Sequence, residues 1–277
     1  MKTEDLSSLD DFPTAVAKVR SQYGKHSVTV DTGKTFEVVN EILFRGQDDS
    51  GLSLSTTLER QVGPNISFID YLDRATEVAS EIESVTGKRW HVSTMNKIKK
   101  SVEFIAREKR LFYTLPCYDY LVYLRHHGFP SPLLDWTRSP YIALFFAFQC
   151  KPKAERVAIF AFIERPQGGK SHNGNEPSIA VMGPYVTTHP RHFAQRARYT
   201  VASGPSTREY DRLFTSFPTS TVDGQDVLIK ITLPASERAR ALEQLDADYN
   251  INAYTLFGSE DSFIQTLGQR RFVTGVR

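Results

Sequence analysis

The sequence predicts a single α+β domain built on a mixed or antiparallel sheet. Three observations carry this. Helical periodicity dominates residues 1–150, and apolar runs of strand length dominate residues 151–277. No internal repeat or low-complexity linker separates the two halves, so one domain is expected over 1–277, its helical N-terminal half packed on the sheet. Helix and strand signals are segregated and do not alternate, which argues against a doubly wound sheet. The 277 residues, 40% hydrophobic and 24% charged, suffice for a full core.

The first element is a helix from Phe12 to Tyr23: Asp10 or Asp11 can cap it, Pro13 suits its first turn, and Gly24 ends it. Residues 25–37 are polar and β-branched and predict a hairpin turning near Asp31-Thr32-Gly33. Asn40 to Gln47 reads as a buried strand that stops at Gly46 and places Arg45 and Gln47 at its end. Helical spacing follows over 66–85, through Phe68, Ile69, Leu72, Ala75, Ala79 and Ile82, and again over Asn96 to Arg107. The charge run Lys97, Lys99, Lys100, Arg107, Lys109 and Arg110 reads as a solvated face, with a nucleic-acid or protein contact as the rival. A further helix, Cys117 to Arg125, leads into the loop His126-His127-Gly128-Phe129-Pro130.

The centre of the chain is LRHHGFPSPLLDWTRSPYIALFFAF, residues 124–148. Ser139 and Pro140 make a good helix start, since the Ser oxygen can accept a first-turn N–H and Pro lacks a donor that would be orphaned there. The helix that follows, to about Phe148, carries no charge, so it is expected to be buried on every side. It is too short to cross a bilayer. Asp135, Thr137, Arg138 and Ser139 gather at its N-terminus, where an anion or polar ligand is favoured. The plainer reading is that Asp135 and Ser139 only cap it.

Strands are predicted at Arg156–Glu164, Ser178–Met182 and Asp226–Leu233. The loop 168–175 lacks the spacing of a phosphate loop. A helix from Pro234 to about Leu245, a segment Ile251–Phe257, a helix from Ser259 to Leu267 and a last strand over Arg271–Val276 close the chain.

The formal net charge of +2 argues against a dedicated duplex-DNA binder. Cys117 and Cys150 fit no zinc pattern. The start, MKTEDLSSLDDF, has no signal-peptide core, and no run reaches the apolar length of a membrane span, so a soluble cytoplasmic protein with no membrane partner is expected.

Four groups of residues could carry chemistry. Arg45 with Gln47 is the first: an arginine at a strand end can clamp phosphate or carboxylate through its planar fork, and the alternative is scaffolding against Asp135. His126 is the second, as a general acid or base or as a backbone partner. The third is Asp135, Trp136, Thr137 and Ser139. The fourth is Arg191 and Gln195 within a basic cluster of His189, Arg191, His192, Arg196 and Arg198, which favours a polyanionic ligand. Metal ligation has only the loose spacing of His189 and His192 behind it, and a Ser-His-Asp triad lacks its elbow, so no metal cofactor is expected.

The pattern HHGFPSPLLDWTRSPYIALFFA, with Phe44-Arg45-Gly46-Gln47 upstream, resembles the signature of the FRG domain family. The resemblance singles out Arg45 and His126. It extends to the family's R-x-x-A-Q-x-x-x-F-T element, with Arg191 and Gln195 matching, Tyr199 in place of Phe and Ala197 in place of Gly. Leu256-Phe257-Gly258-Ser259-Glu260-Asp261 resembles the family's L-F-P-D-x-D end, with Gly258 for Pro. The family often looks like a bacterial or phage effector module, an association that implies a toxin or phage-defence role.

The order of these elements also resembles, more remotely, the split site of ADP-ribosyltransferases. That resemblance implies an ADP-ribosyltransferase-like fold and an enzyme that consumes NAD as a transferase or glycohydrolase. Arg45, Gln47, Thr137, Ser139 and Arg191 would hold the dinucleotide, and Trp136 or Tyr141 would stack on nicotinamide. Gln195, Glu260 or Asp135 would face the oxocarbenium-like ribose, with His126 as the acid or base. A macromolecular acceptor, protein or nucleic acid, stays open. So do two other classes: a non-catalytic nucleotide- or nucleic-acid-binding sensor on the same arginines, and a metal-dependent nuclease. For Glu260 and Asp261 the plainer reading is favourable charge at a helix N-terminus.

Overall fold

The computed structural model describes residues 1–107, 115–171, 176–183, 186, 190–208, 211–218 and 224–275. β1 (Lys2–Asp5) opens the chain, and a 3-10 turn at Leu9–Asp11 capped by Ser8 leads into α1 (Phe12–Tyr23). The hairpin β2 (Lys25–Thr29) and β3 (Thr35–Val39) forms its own two-stranded sheet and turns at Gly33, whose φ of 76° suits glycine. β4 (Leu43–Gln47) follows, then α2 (Thr57–Val62), β5 (Ile66–Ser67), α3 (Phe68–Glu77) and α4 (Ala79–Thr86). The single helix expected over 66–85 is thus a short strand and two helices. The Ser67 hydroxyl accepts the Asp70 N–H and starts α3, and at Val78 the N–H turns to the Thr76 carbonyl and ends it.

Next come α5 (Met95–Arg107), α6 (Tyr118–His126), β6 (Leu134–Thr137) and α7 (Pro140–Phe148). Lys97, Lys99 and Lys100 lie exposed on α5, as a solvated face requires, whereas Lys109 and Arg110 lie outside the described residues. The second half contains β7 (Arg156–Ile163), β8 (Ser178–Met182), α8 (Pro190–Ala194), β9 (Ala197–Pro205), β10 (Arg212–Phe214) and β11 (Val227–Pro234). It ends in α9 (Arg238–Tyr249), α10 (Ala253–Phe257) and α11 (Glu260–Phe272). The strand expected at 271–276 is absent over its described part. Val273 and Thr274 direct their N–H groups to the Gln269 carbonyl, so these residues form a helix terminus.

The main sheet runs β1-β11-β7-β4-β6-β9-β10-β5, with β8 beside β9. β1 and β11 are parallel and the other pairs antiparallel, so the sheet is mixed. Strands from both halves share it, giving one α+β domain. β7 shows why its sequence is apolar throughout: Val157, Ile159, Ala161 and Ile163 face one core, while Ala158, Phe160 and Phe162 face another. On the first face the helices stand in two groups. α1, α7, α9 and α10 cover β4, β7 and β11, and α3, α5 and α6 cover β8, β9 and β10. Among the described residues no helix is long and apolar enough to cross a membrane.

α7 sits almost on the backbone of β4. A β-carbon at Gly46 would lie 1.9 Å from the Ala143 carbonyl oxygen and 2.6 Å from the Ala147 nitrogen. Only a residue without a side chain allows that approach.

The C-terminal helices are tied by Asp246. Its carboxylate accepts from Arg270 Nε at 2.6 Å and Nη2 at 2.9 Å, and from Asn252 Nδ2 at 2.8 Å. The Arg270 guanidinium, with help from Asn252, holds this carboxyl below its usual range. A depressed carboxylate contributes stability above its unfolded pKa, and that stability is lost as pH falls through the folded value. Asp246→Asn is therefore expected to destabilise by about 1 kcal/mol at neutral pH, with the difference vanishing in acid. Urea titrations of both proteins across pH would show it, and a pH-independent difference would contradict the charge origin.

Candidate functional site

β4 and β6 pair at one position only, Phe44 with Thr137. Beyond that bridge β4 continues alongside β7, while β6 continues alongside β9. The sheet splits here, beneath the gap between the two helix groups. The split is the floor of a cleft of about 580 Å³, within the usual size of small-molecule sites.

Arg45 crosses the split. Its Nη1 donates to the main-chain carbonyl of Asp135 at 2.8 Å. The Asp135 carboxylate pairs with Arg125 on α6. The Nε atoms of both Arg45 and Arg125 are buried without a hydrogen-bond partner. Burial is the main reason that the Arg45 guanidinium is pulled down to about 10; Arg125 and Arg60 add to it, against the opposing pull of Asp135. Three arginines gathered in one cleft repel one another, and a bound anion would relieve both the repulsion and the unmet donors.

Six of the residues expected from the sequence line the cleft beside Arg45 and Asp135: Gln47, His126, Trp136, Thr137, Arg191 and Gln195. Gln47 Nε2 reaches the Ser53 carbonyl at 3.4 Å. Gln195 Nε2 donates to the Leu256 carbonyl at 3.1 Å, and Arg191 Nε donates to the Phe257 carbonyl at 3.3 Å with its guanidinium over the Phe257 ring. His126 Nε2 lies 2.9 Å from the Tyr199 hydroxyl, with His192 Nδ1 on its other side at 3.5 Å. Burial, then the Asp135 carboxylate and Tyr118, push the Tyr199 phenol up, so it stays protonated between the two imidazoles. Burial first, with Arg198 and Arg138, pulls His192 down.

Other expected side chains are turned away, engaged otherwise or placed elsewhere. Alternation along β6 puts Asp135 and Trp136 on opposite faces. The Trp136 ring packs on Phe162 and Phe217 in the far core, and its Nε1 donates to Thr200 at 2.9 Å, so it cannot stack on a ligand in the cleft. Tyr141 stacks on Tyr249 at 4.4 Å within the core around α7. Ser139 caps α7 by accepting the Ile142 N–H, and Thr137 lines the cleft but accepts the Ser139 N–H. Glu260 is exposed in the first turn of α11, away from the cleft, where its charge suits the helix dipole. Glu260→Gln and Tyr141→Phe are accordingly expected to leave ligand affinity within about twofold of wild type, since neither side chain lines the site; calorimetric titration would check this.

Residues 40–156 match the family model of the FRG domain. This segment of the chain belongs to the FRG domain family. It supplies Arg45, Gln47, Arg125, His126 and Asp135, so one wall and the floor of the cleft are FRG residues. Arg191, Gln195, Tyr199 and Phe257, which complete the opposite wall, lie beyond the matched segment. No curated protein matches the chain, and no solved structure does.

Two functional candidates escaped sequence reading. Arg125 stands beside His126, but only the helix phase of α6 and the crossing of β6 bring it to Asp135. Tyr199 stood out only as a replacement for Phe; its pairing with His126 spans 73 residues. Among the described residues no three His, Cys, Asp or Glu side chains group closely enough to hold a metal ion, and His189 lies outside them.

Proposed function

We propose that the cleft binds NAD and that the protein cleaves its nicotinamide–ribose bond, in the manner of an ADP-ribosyltransferase or NAD glycohydrolase. One observation carries the reading: the split in the sheet sets arginines with unmet buried donors beside a carboxylate. A dinucleotide needs both signs of charge. Arg45, with Arg191, would take the pyrophosphate oxygens. Asp135 would face the positive charge that develops on the ribose as the bond breaks. Gln47 and Gln195 would orient ribose hydroxyls, and Phe146 and Phe257 offer apolar wall for a base. His126, within 2.9 Å of the Tyr199 hydroxyl, would move the proton.

A second reading is a non-catalytic nucleotide sensor. The pairing of Asp135 with Arg125 favours it, because a carboxylate already neutralised offers less charge to a cation. A metal-dependent nuclease gains no support from the donor set of the described residues. Incubation with NAD, following free nicotinamide, separates the first two. Release by wild type and not by an Asp135→Asn variant that still binds NAD supports the enzyme. Binding without release in either protein supports the sensor.

A further inference from the structure

The mouth of the cleft carries a second feature. Phe193, on α8 and two residues from Gln195, is 89% exposed. An isolated exposed leucine would mean little, but a phenylalanine bared on the helix that carries Arg191 to a charged cleft can serve as a stacking platform. Cations flank it. Arg196 and Arg138 are both exposed, and their backbones are joined by the Arg138 N–H to the Arg196 carbonyl at 3.2 Å. Each adjoins a residue that lines the cleft, Arg196 next to Gln195 and Arg138 next to Thr137. Lys88 lies over the Tyr123 ring at 5.4 Å, and Tyr123 packs on His127, ring centroids 4.4 Å apart, next to His126 of the cleft. Burial first, then Lys88 and Arg191, pull His127 down. None of Lys88, Arg138 and Arg196 forms an ion pair among the described residues.

We propose that this rim binds single-stranded nucleic acid, with phosphates along Lys88, Arg191, Arg196 and Arg138 and a base stacked on Phe193. Surface cations around an exposed aromatic fit a strand whose phosphates and bases alternate. An acidic peptide would use the cations but leave Phe193 without purpose. A duplex keeps its bases stacked inside and could not use it either. The surface deepens the reading of the cleft by naming nucleic acid as the macromolecule brought to it, yet its binding stands or falls independently of NAD turnover.

The test is fluorescence anisotropy of a labelled, mixed-sequence single strand of about 12 nucleotides, without NAD, against the full chain. Binding that weakens with salt is expected, with the matched duplex binding less tightly. Phe193→Ala should weaken it roughly tenfold. An Arg138→Gln, Arg196→Gln double variant should lower the salt slope by about 0.7 for each phosphate no longer neutralised. Circular dichroism of each variant would confirm that the fold is kept, which exposed positions allow. No binding at about 50 mM salt overturns the proposal. So does wild-type affinity in Phe193→Ala, or equal displacement of the strand by polyglutamate. Nicotinamide release from NAD, measured on the same proteins, bears on the cleft alone: its absence with strand binding intact removes the enzyme and keeps the surface.

Discussion

Gly46→Ala is expected to destabilise the protein by about 3 kcal/mol or more, enough to leave much of it unfolded under mild denaturant. The added carbon would meet the Ala143 carbonyl oxygen at 1.9 Å and the Ala147 nitrogen at 2.6 Å. Both are backbone atoms, so no change of rotamer relieves the clash, and α7 must lift away from β4. α7 cannot lift cheaply. Ala143, Phe145, Ala147 and Phe148 are fully buried, and the helix packs on β4, β7 and α9 at once. A strand at the floor of the cleft would move with it, so Arg45 and Gln47 would be displaced in whatever fraction still folds. The urea midpoint is the measurement. An unchanged midpoint would mean that α7 does not seat on Gly46 as described.

Arg45→Ala is expected to have the opposite profile, a nearly unchanged fold and a large loss of ligand. Removing the side chain forfeits one hydrogen bond, to the Asp135 carbonyl. It also relieves burial of a cation beside Arg125 and Arg60, the conditions that pull its guanidinium down to about 10. These effects oppose each other, so stability should change by no more than about 1 kcal/mol. Affinity for NAD or ADP-ribose should fall by roughly 2–4 kcal/mol, some thirtyfold to a thousandfold, because a charged, desolvated contact is removed. Arg45→Lys should recover only part of this. A lysine keeps the charge but not the planar fork that meets two oxygens at once. Calorimetric titration with ADP-ribose reads binding, and nicotinamide release reads turnover. Undiminished binding by Arg45→Ala would remove this arginine from the site and the dinucleotide reading with it.

Much of the architecture was legible along the chain, for physical reasons that differ by element. α1 is bounded by Pro13 and Gly24, and α7 starts at Ser139 and Pro140, so local chemistry sets these ends. β7 and β11 are apolar enough to be strands from composition alone. β1 gave no such signal, since Lys2 to Asp5 are mostly exposed and it joins the sheet through its backbone beside β11. β9 was hidden by Arg198, which is held among its neighbours by an ion pair with Glu41, 157 residues away.

By itself the sequence determined the α+β class and the buried central helix, and it named Arg45, Gln47, His126, Asp135, Arg191 and Gln195 as candidates alongside Trp136, Thr137, Ser139, Tyr141 and Glu260. These follow from periodicity, caps and motif, which are local. Only the tertiary structure decided which of the candidates share a cleft. It turned Trp136 to the far side of β6, seated Tyr141 against Tyr249, left Glu260 at a helix end, and brought Arg125 and Tyr199 in. A strand's two faces differ by one residue, and which face meets the cleft depends on β4 parting from β6 after a single bridge. That parting is a relation between segments some ninety residues apart, and it is set by how two groups of helices divide one face of the sheet.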